Sequence, residues 1–327
     1  MPYYDTYQRP INYLRVSVTD RCNLRCLYCM PPEGVTPRTH MEILSYEEIG
    51  RVVRIAAEMG ISRVRLTGGE PLVRAGILSL VEMLGRIPGI EDLSMTTNGI
   101  LLERYAEDLA RAGLNRVNVS LDTLREARYA EMTRGGRLDA ALAGIEAAER
   151  AGLTPIKINC VVLRGFNEDE VADMARLSVD RERHVRFIEL MPLNESDELD
   201  DRFVSGGEIL ERITGSLGPL EPVTAPRGNG PATGYRIPGA RGTVGVITPV
   251  SEHFCGGCNR LRLTADGRLR PCLLSDVEMD IKPVLRARGD DEVIRDWLQK
   301  AILAKPAGHG LAQHEVPRGR TMSEIGG

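Results

Sequence analysis

The sequence predicts an α/β fold: an incomplete (βα)6 TIM-type barrel over residues 1–220, with a small C-terminal domain, 221–327, covering its open side. Three observations lead there. The chain has 327 residues, which at ~150 per domain suits two domains. Between about residues 12 and 191, short β-rich runs alternate with helical stretches, which implies parallel pairing through right-handed crossovers. The polar and glycine residues collect where those runs end, at the edge where strand-to-helix loops converge in a βα barrel. A full barrel has eight repeats and six are visible here; a doubly wound sheet is the alternative.

The strand-like runs are 12–20 (NYLRVSVTD), 62–71 (SRVRLTGGEP), 91–99 (EDLSMTTNG), 115–122 (NRVNVSLD), 155–163 (PIKINCVVL) and 184–192 (HVRFIELMP). Each is rich in Val, Ile, Leu or Met, and most end on Gly, Pro, Asn or Asp. Between them lie amphipathic stretches such as 45–60 (SYEEIGRVVRIAAEMG) and 104–113 (RYAEDLARAG), closed by a glycine suited to a left-handed cap. The strand-end residues are Thr19 and Asp20, Thr67 to Glu70, Thr96 to Gly99, Ser120 to Asp122, and Met191 with Pro192. After Met191 the pattern breaks: Asn194 to Asp201 is acidic and loop-like, and Pro222 to Gly242 is rich in Pro and Gly. A strand at 242–249, a hairpin turning at Asp266-Gly267 and a helix through 291–305 follow. The tail from Pro306 has little core-forming power.

Composition excludes several classes. At 42% hydrophobic and 27% charged residues the chain is an ordinary globular protein, not a disordered one. No run approaches the ~20 apolar residues that span a bilayer, and MPYYDTYQRP lacks the apolar core of a secretory signal. The expectation is a soluble, cytoplasmic protein. A net charge of −4 argues against general nucleic-acid binding. Arg far outnumbers Lys, and Arg is the better fork for phosphate or carboxylate.

Seven cysteines are too unevenly spread for a disulfide framework, which belongs to small secreted chains. Cys22, Cys26 and Cys29 crowd one loop after the first strand; Cys255, Cys258 and Cys272 form a second group. Three thiolates on one point suit a soft metal or an iron–sulfur cluster. A cubane has four irons, so three ligands leave one iron open for a substrate or cofactor. Spacing alone leaves zinc open at both sites, with His253 a candidate fourth ligand at the second. Cys160 lies in an apolar run and reads as buried packing, and His40, His184, His309 and His314 show no ligand spacing with the cysteines.

The Cys22-x3-Cys26-x2-Cys29 spacing, with Tyr28 before the third cysteine, resembles the signature of the radical S-adenosylmethionine (SAM) enzymes. Gly68-Gly69-Glu70-Pro71 looks like that family's second motif. A narrower resemblance runs end to end, through LRVSVTDRCNLRCLYCMPPEG, RLTGGEPLVR, TTNG, VSLD, FIELMP, FCGGCNRLRLTADGRLRPCL and the terminal IGG. Together these segments resemble the GTP 3′,8-cyclase family, which opens molybdenum cofactor biosynthesis.

The resemblance implies that Cys22, Cys26 and Cys29 hold a 4Fe-4S cluster that cleaves SAM to a 5′-deoxyadenosyl radical, with Tyr28, Gly69, Ser120 and Met191 contacting SAM. It implies that Cys255, Cys258 and Cys272 hold a second 4Fe-4S cluster facing the guanine of GTP. It places Arg15, Arg65, Thr96, Lys157, Arg260, Leu261 and Arg262 on GTP, and gives the terminal Gly326 and Gly327 a catalytic role inside the active site. Burying a triphosphate of charge near −4 requires cations around it, each close pair contributing roughly 4 kcal/mol at an effective dielectric of 20. The product implied is (8S)-3′,8-cyclo-7,8-dihydroguanosine 5′-triphosphate, a lyase reaction. Implied partners are a flavodoxin- or ferredoxin-type reductant and the cyclic pyranopterin monophosphate synthase that takes the product, with room for a homodimer. The rivals are another two-cluster radical SAM enzyme acting on a peptide or RNA, and a non-catalytic iron–sulfur electron carrier.

Overall fold

A computed structural model describes residues 3–193, 201–224, 230–287, 290–313 and 317–326. The six β-rich runs become parallel strands β1 (Tyr13–Ser17), β2 (Arg63–Thr67), β3 (Asp92–Thr97), β4 (Arg116–Ser120), β5 (Ile156–Val162) and β6 (Arg183–Glu189), side by side in chain order. The chain after residue 240 adds β7 (Thr243–Ile247), parallel to β6, and β8 (Arg260–Leu263), parallel to β1. The later part of the chain therefore extends the sheet at both edges. Antiparallel strands Arg268–Arg270 and Met279–Asp280 lie beyond β8, and Thr233–Arg236 and Glu221–Val223 beyond β7, completing a 12-stranded sheet. The hairpin turns where expected, with Gly267 at φ +82°.

Alternation along the strands makes both the core and the site. Leu14, Val16, Val64, Leu66, Leu93, Met95, Val117, Val119, Ile158, Val185 and Phe187 are fully buried in the main hydrophobic cluster, and Cys160 sits among them. Residues between them turn to the opposite face. The helix Tyr46–Glu58 shows how sequence punctuates an element: Ser45 accepts from the Glu48 amide (3.1 Å), Glu48 accepts from the Ser45 amide (2.7 Å), and Gly60 ends the turn at φ +89°.

Two regions differ from the sequence expectation. The Pro- and Gly-rich stretch from Pro222 carries two strands, of which the outermost, Glu221–Val223, holds Pro222, since an edge strand tolerates proline on its unpaired side. The acidic run's residues 194–200 lie outside the described residues. The tail also folds more than its composition suggests. A capping box of Thr321 and Glu324 starts the short helix Met322–Ile325, and Ile325 is buried. No helix among the described residues is long and apolar enough to cross a membrane.

Candidate active site

One cavity opens to all six clustered cysteines. The first triad follows β1, at the C-terminal edge of the parallel strands. Its loop is tight: the Cys29 and Met30 amides both donate to the Cys26 carbonyl (3.0 and 3.1 Å), and Arg25 and Leu27 donate to Thr133 and Met132 of the helix Glu126–Thr133. Gly68 and Gly69 let the end of β2 close on this loop. A Cβ on Gly69 would collide with the Arg21 carbonyl, while the Gly69 and Glu70 amides donate to Thr19 and Arg21 (2.7 and 2.8 Å). The glycine pair thus serves the cysteine loop itself, a role the motif alone does not reveal.

The second triad lies at the other end of the strands. Cys258 immediately precedes β8, and Cys272 follows the strand antiparallel to it, so both flank the N-terminal edge. At ~3.3 Å per residue the five residues of β1 separate the two edges by about 16 Å. The cavity is lined by mid-strand residues such as Arg15, Arg65 and Arg262 as well as by the edge favoured by a βα barrel.

Between the triads lie the cations. Arg15, Arg65, Arg186, Arg260 and Arg262 line the cavity, with Arg15 in register between Arg65 and Arg262. Burial, then Arg262, holds Arg15 well below its ordinary pKa; burial, then Arg260, holds Arg262 at about 10; burial, then Arg65, holds Arg186 at about 9. A crowd of desolvated like charges is costly until an anion joins it. Thr96 also lines the cavity, its buried hydroxyl without a protein partner among the described residues.

Other expected residues fall in three places. Tyr28, Ser120, Met191 and Gly69 line the cavity near the first triad. The Tyr28 hydroxyl donates to Asp122 (2.8 Å), whose other oxygen accepts from the Val161 amide (2.8 Å). Lys157 lies outside the cavity lining, one pleat deeper on β5 than Asn159 and Val161, which do line it. Burial, then Arg186, Arg116 and Arg65, holds its ammonium at about 6. Leu261 turns its side chain into the core, leaving only its backbone near Arg260 and Arg262. Gly326 packs against Ser17 and Thr67 at the ends of β1 and β2, with its carbonyl accepting from Arg262 (2.8 Å). Gly327 lies outside the described residues.

The comparisons with known proteins agree on one assignment. Residues 16–178 match the radical SAM superfamily, and 183–311 match the molybdenum cofactor synthesis C family. The GTP 3′,8-cyclase of Pelotomaculum thermopropionicum is 56% identical over 324 residues, and that of Moorella thermoacetica 52% over 323, each covering 99% of both chains. The chain belongs to the GTP 3′,8-cyclase family. Solved structures share this cyclase's fold at low identity. Streptococcus suis SuiB bound to S-adenosylmethionine has a TM-score of 0.60 at 14% identity, over 88% of this chain and 67% of that one. Native anSMEcpe with bound AdoMet has 0.58 at 16%, over 93% and 82%.

The donor sets fit the clusters this family carries. Among the described residues, no three His, Cys, Asp or Glu converge as the shell of a single ion does, and His253 packs edge-on to His309 instead. A cubane asks less: each thiolate holds a different iron, so the three thiols need only surround one cluster, and within each triad they lie close enough to act on one another's charge. Burial raises Cys22, lifts Cys26 well above its ordinary value and pushes Cys29 to about 12, so the first triad becomes thiolate only with metal.

Several site residues escaped the sequence reading. Arg186 is one cation among many in a β-rich run, yet its place on the inward face of β6, alternating with Phe187, could have marked it. Asn98 donates to the Cys22 sulfur (3.8 Å) and to Asn23 (2.8 Å), while its amide N–H is held by Glu70 (2.7 Å). Lys305 lines the cavity from a tail segment that carries no motif.

Proposed function

We propose that the cavity joining the two triads is where this cyclase holds SAM and GTP together. The enzyme converts GTP to (8S)-3′,8-cyclo-7,8-dihydroguanosine 5′-triphosphate, the first step of molybdenum cofactor biosynthesis, and its cofactors are 4Fe-4S clusters and SAM. The observation that carries the residue-level reading is the order along one cavity: cysteine triad, cations with the Gly326 tail, cysteine triad.

On this reading, Cys22, Cys26 and Cys29 hold the cluster that binds SAM, and Cys255, Cys258 and Cys272 hold the one that meets the guanine. With SAM bound, the first cluster supplies the 5′-deoxyadenosyl radical. The chain's own residues do the rest. Arg15, Arg65, Arg260 and Arg262, with Thr96 and the Leu261 backbone, take the triphosphate; Lys157 backs them from one pleat below. Arg186, aimed at the cavity and tied to Asn159 (2.6 Å), joins that set. Tyr28, fixed by Asp122, stands with Gly69, Ser120 and Met191 against SAM. Apolar lining from Leu24, Ile188, Ile247 and Phe254 keeps water from the reacting atoms. Arg262 holds the Gly326 carbonyl beside these cations, and the catalytic role proposed for Gly326 and Gly327 starts from that contact.

The architecture fits an incomplete (βα)6 barrel, residues 1–220, whose open side is covered by a C-terminal domain, 221–327. The flavodoxin- or ferredoxin-type reductant, transfer to cyclic pyranopterin monophosphate synthase, a homodimer and a cytoplasmic location complete the proposal. The test is anaerobic reconstitution with iron and sulfide, then SAM, a strong reductant and GTP. Formation of 5′-deoxyadenosine together with a cyclised nucleotide is expected. Deoxyadenosine without loss of GTP would discard this chain's assignment to GTP.

A further inference from the structure

The second triad is carried by two backbone segments, the turn that holds Cys255 and Cys258 and the strand end that leads to Cys272, and two buried cations hold both. Lys305 is 5% exposed and lines the cavity. Its ammonium donates to the carbonyl of Arg260, two residues after Cys258, at 2.9 Å. It donates again to the carbonyl of Pro271, the residue before Cys272, at 2.8 Å. The Cys258 thiol lies close enough to act on the charge of the same ammonium. An ammonium has three donors on a slim stem, and two of them are engaged on these carbonyls.

The Cys255 end of the first segment is reached from the same loop. Arg9, paired with Asp5 (2.6 Å), donates to the Cys255 carbonyl (2.8 Å) and to the carbonyls of Pro306 and Ala307 (2.7 and 3.1 Å), the two residues after Lys305. A guanidinium and an ammonium thus tie the two segments that carry Cys255, Cys258 and Cys272 to one turn following the helix Asp291–Leu303. The first triad is held differently: Arg25 donates to the Cys22 and Leu24 carbonyls from within the loop, and Arg134, on the neighbouring helix end, donates to the carbonyls of Arg25 and Met30, which flank Cys26 and Cys29.

We propose that Lys305 is the positioning residue of the second cluster: it draws the Cys258 and Cys272 segments together and sets a fixed positive charge beside their thiolates. Arg9 completes the clamp on Cys255. Neither is a catalytic residue; both act through the cysteines. The inference rests on the reading that this triad holds a 4Fe-4S cluster. Buried partners of metal ligands are commonly worth 10–100-fold in metal affinity, and a nearby cation favours the more negatively charged, reduced cluster.

The experiment uses the full chain, reconstituted anaerobically, as wild type, Lys305→Gln and Lys305→Met. Each is also made with Cys22, Cys26 and Cys29 replaced by Ala, so that the second cluster is observed alone. Iron and sulfide per chain, the rate of iron loss to a chelator, and the reduction potential by EPR-monitored titration are measured. Lys305→Met should lose second-cluster iron at least about tenfold faster than wild type, while the SAM-induced EPR change of the first cluster stays. Lys305→Gln keeps amide donors for the two carbonyls but no charge, so it should lose iron more slowly than Met and show a more negative potential. Wild-type rates and an unshifted potential in both variants would overturn the proposal. If Lys305→Met fails to fold, the potential of Lys305→Gln decides alone, a negative shift supporting and an unchanged value overturning it. A wild-type chain that binds only one cluster's iron would instead overturn the reading beneath it.

Discussion

The two cysteine triads face one cavity from opposite strand edges, yet they are built differently. Around the first, burial dominates and carboxylates stand near: Glu70 and Asp122 are themselves desolvated, to about 7 and about 6, and Cys29 is pushed to about 12. Around the second, burial pushes Cys258 up too, but Arg260 and Lys305 outweigh it and bring the thiol to about 6. Protein charge therefore favours the Cys258 thiolate before any metal arrives, although burial raises Cys255, whereas the thiols of the first triad are all raised. Arg260, which acts on Cys258, also belongs to the set proposed for the triphosphate, so that proposal places one charge between substrate and second triad.

The largest expected effect comes from separating the two ends. Cys258→Ala should abolish cyclisation while leaving SAM cleavage measurable, because the first triad keeps its own loop and hydrogen bonds. Product formation and 5′-deoxyadenosine are read by chromatography from one reaction. Cyclisation at the wild-type rate would remove the second triad from the chemistry.

Next comes the tail that lies between the ends. Gly326 sits at φ +83°, and a Cβ there would stand 2.7 Å from Ser17 Cβ and Thr67 Oγ1. Forcing a side chain into that left-handed, crowded position costs on the order of 1–3 kcal/mol. Gly326→Ala should therefore cut product formation by roughly ten- to hundredfold, with iron content and SAM cleavage intact. Full cyclase activity would make the contact with Arg262 incidental.

How much of this was legible beforehand follows from what each feature depends on. The six parallel strands were readable because each run alternates and ends in turn residues, and the cysteine triads because thiol spacing is local. Residues such as Arg186 and Lys305 were not, since their roles arise from tertiary placement: a strand face in one case, two converging carbonyls in the other. The edge strand Glu221–Val223 was hidden by Pro222, whose cost vanishes only at an unpaired edge. Leu261 shows the reverse limit. It sits inside a recognisable motif, but strand alternation sends its side chain to the core.

A smaller effect tests the charge between the triads. Lys157 is held at about 6, far below the usual 10.5, by burial and then by Arg186. In the unliganded chain the folded state thus releases a proton that the unfolded state keeps. Stability from this group accordingly rises with pH from about 6 toward the unfolded value, and is lost below about 6. A bound triphosphate reverses the preference by favouring the ammonium. GTP affinity should fall as pH rises above about 6, with proton uptake on binding visible in calorimetry with buffers of different ionisation heat. Lys157→Met should weaken GTP binding by about 1.5–3 kcal/mol, the worth of a charged hydrogen bond, and flatten that slope. An unchanged slope would place the triphosphate away from Lys157.

The smallest effect lies at the first triad, where a neutral amide also reaches a thiol. The Asn98 side-chain amide reaches the Cys22 sulfur at 3.8 Å and shares itself with Asn23 at 2.8 Å, while its backbone N–H stays on Glu70 whatever the side chain is. Asn98→Ala therefore removes the sulfur contact without freeing the loop. A neutral hydrogen bond is worth about 0.5–1.5 kcal/mol, which for a one-electron couple is about 20–65 mV. Losing a donor to the thiolate disfavours the reduced state, so the first cluster's potential should move negative by that amount in an EPR-monitored titration. The second cluster's potential, governed by Arg260 and Lys305, should stay where it is. Equal movement at both would mean that the two ends are tuned through a common field rather than by their separate surroundings.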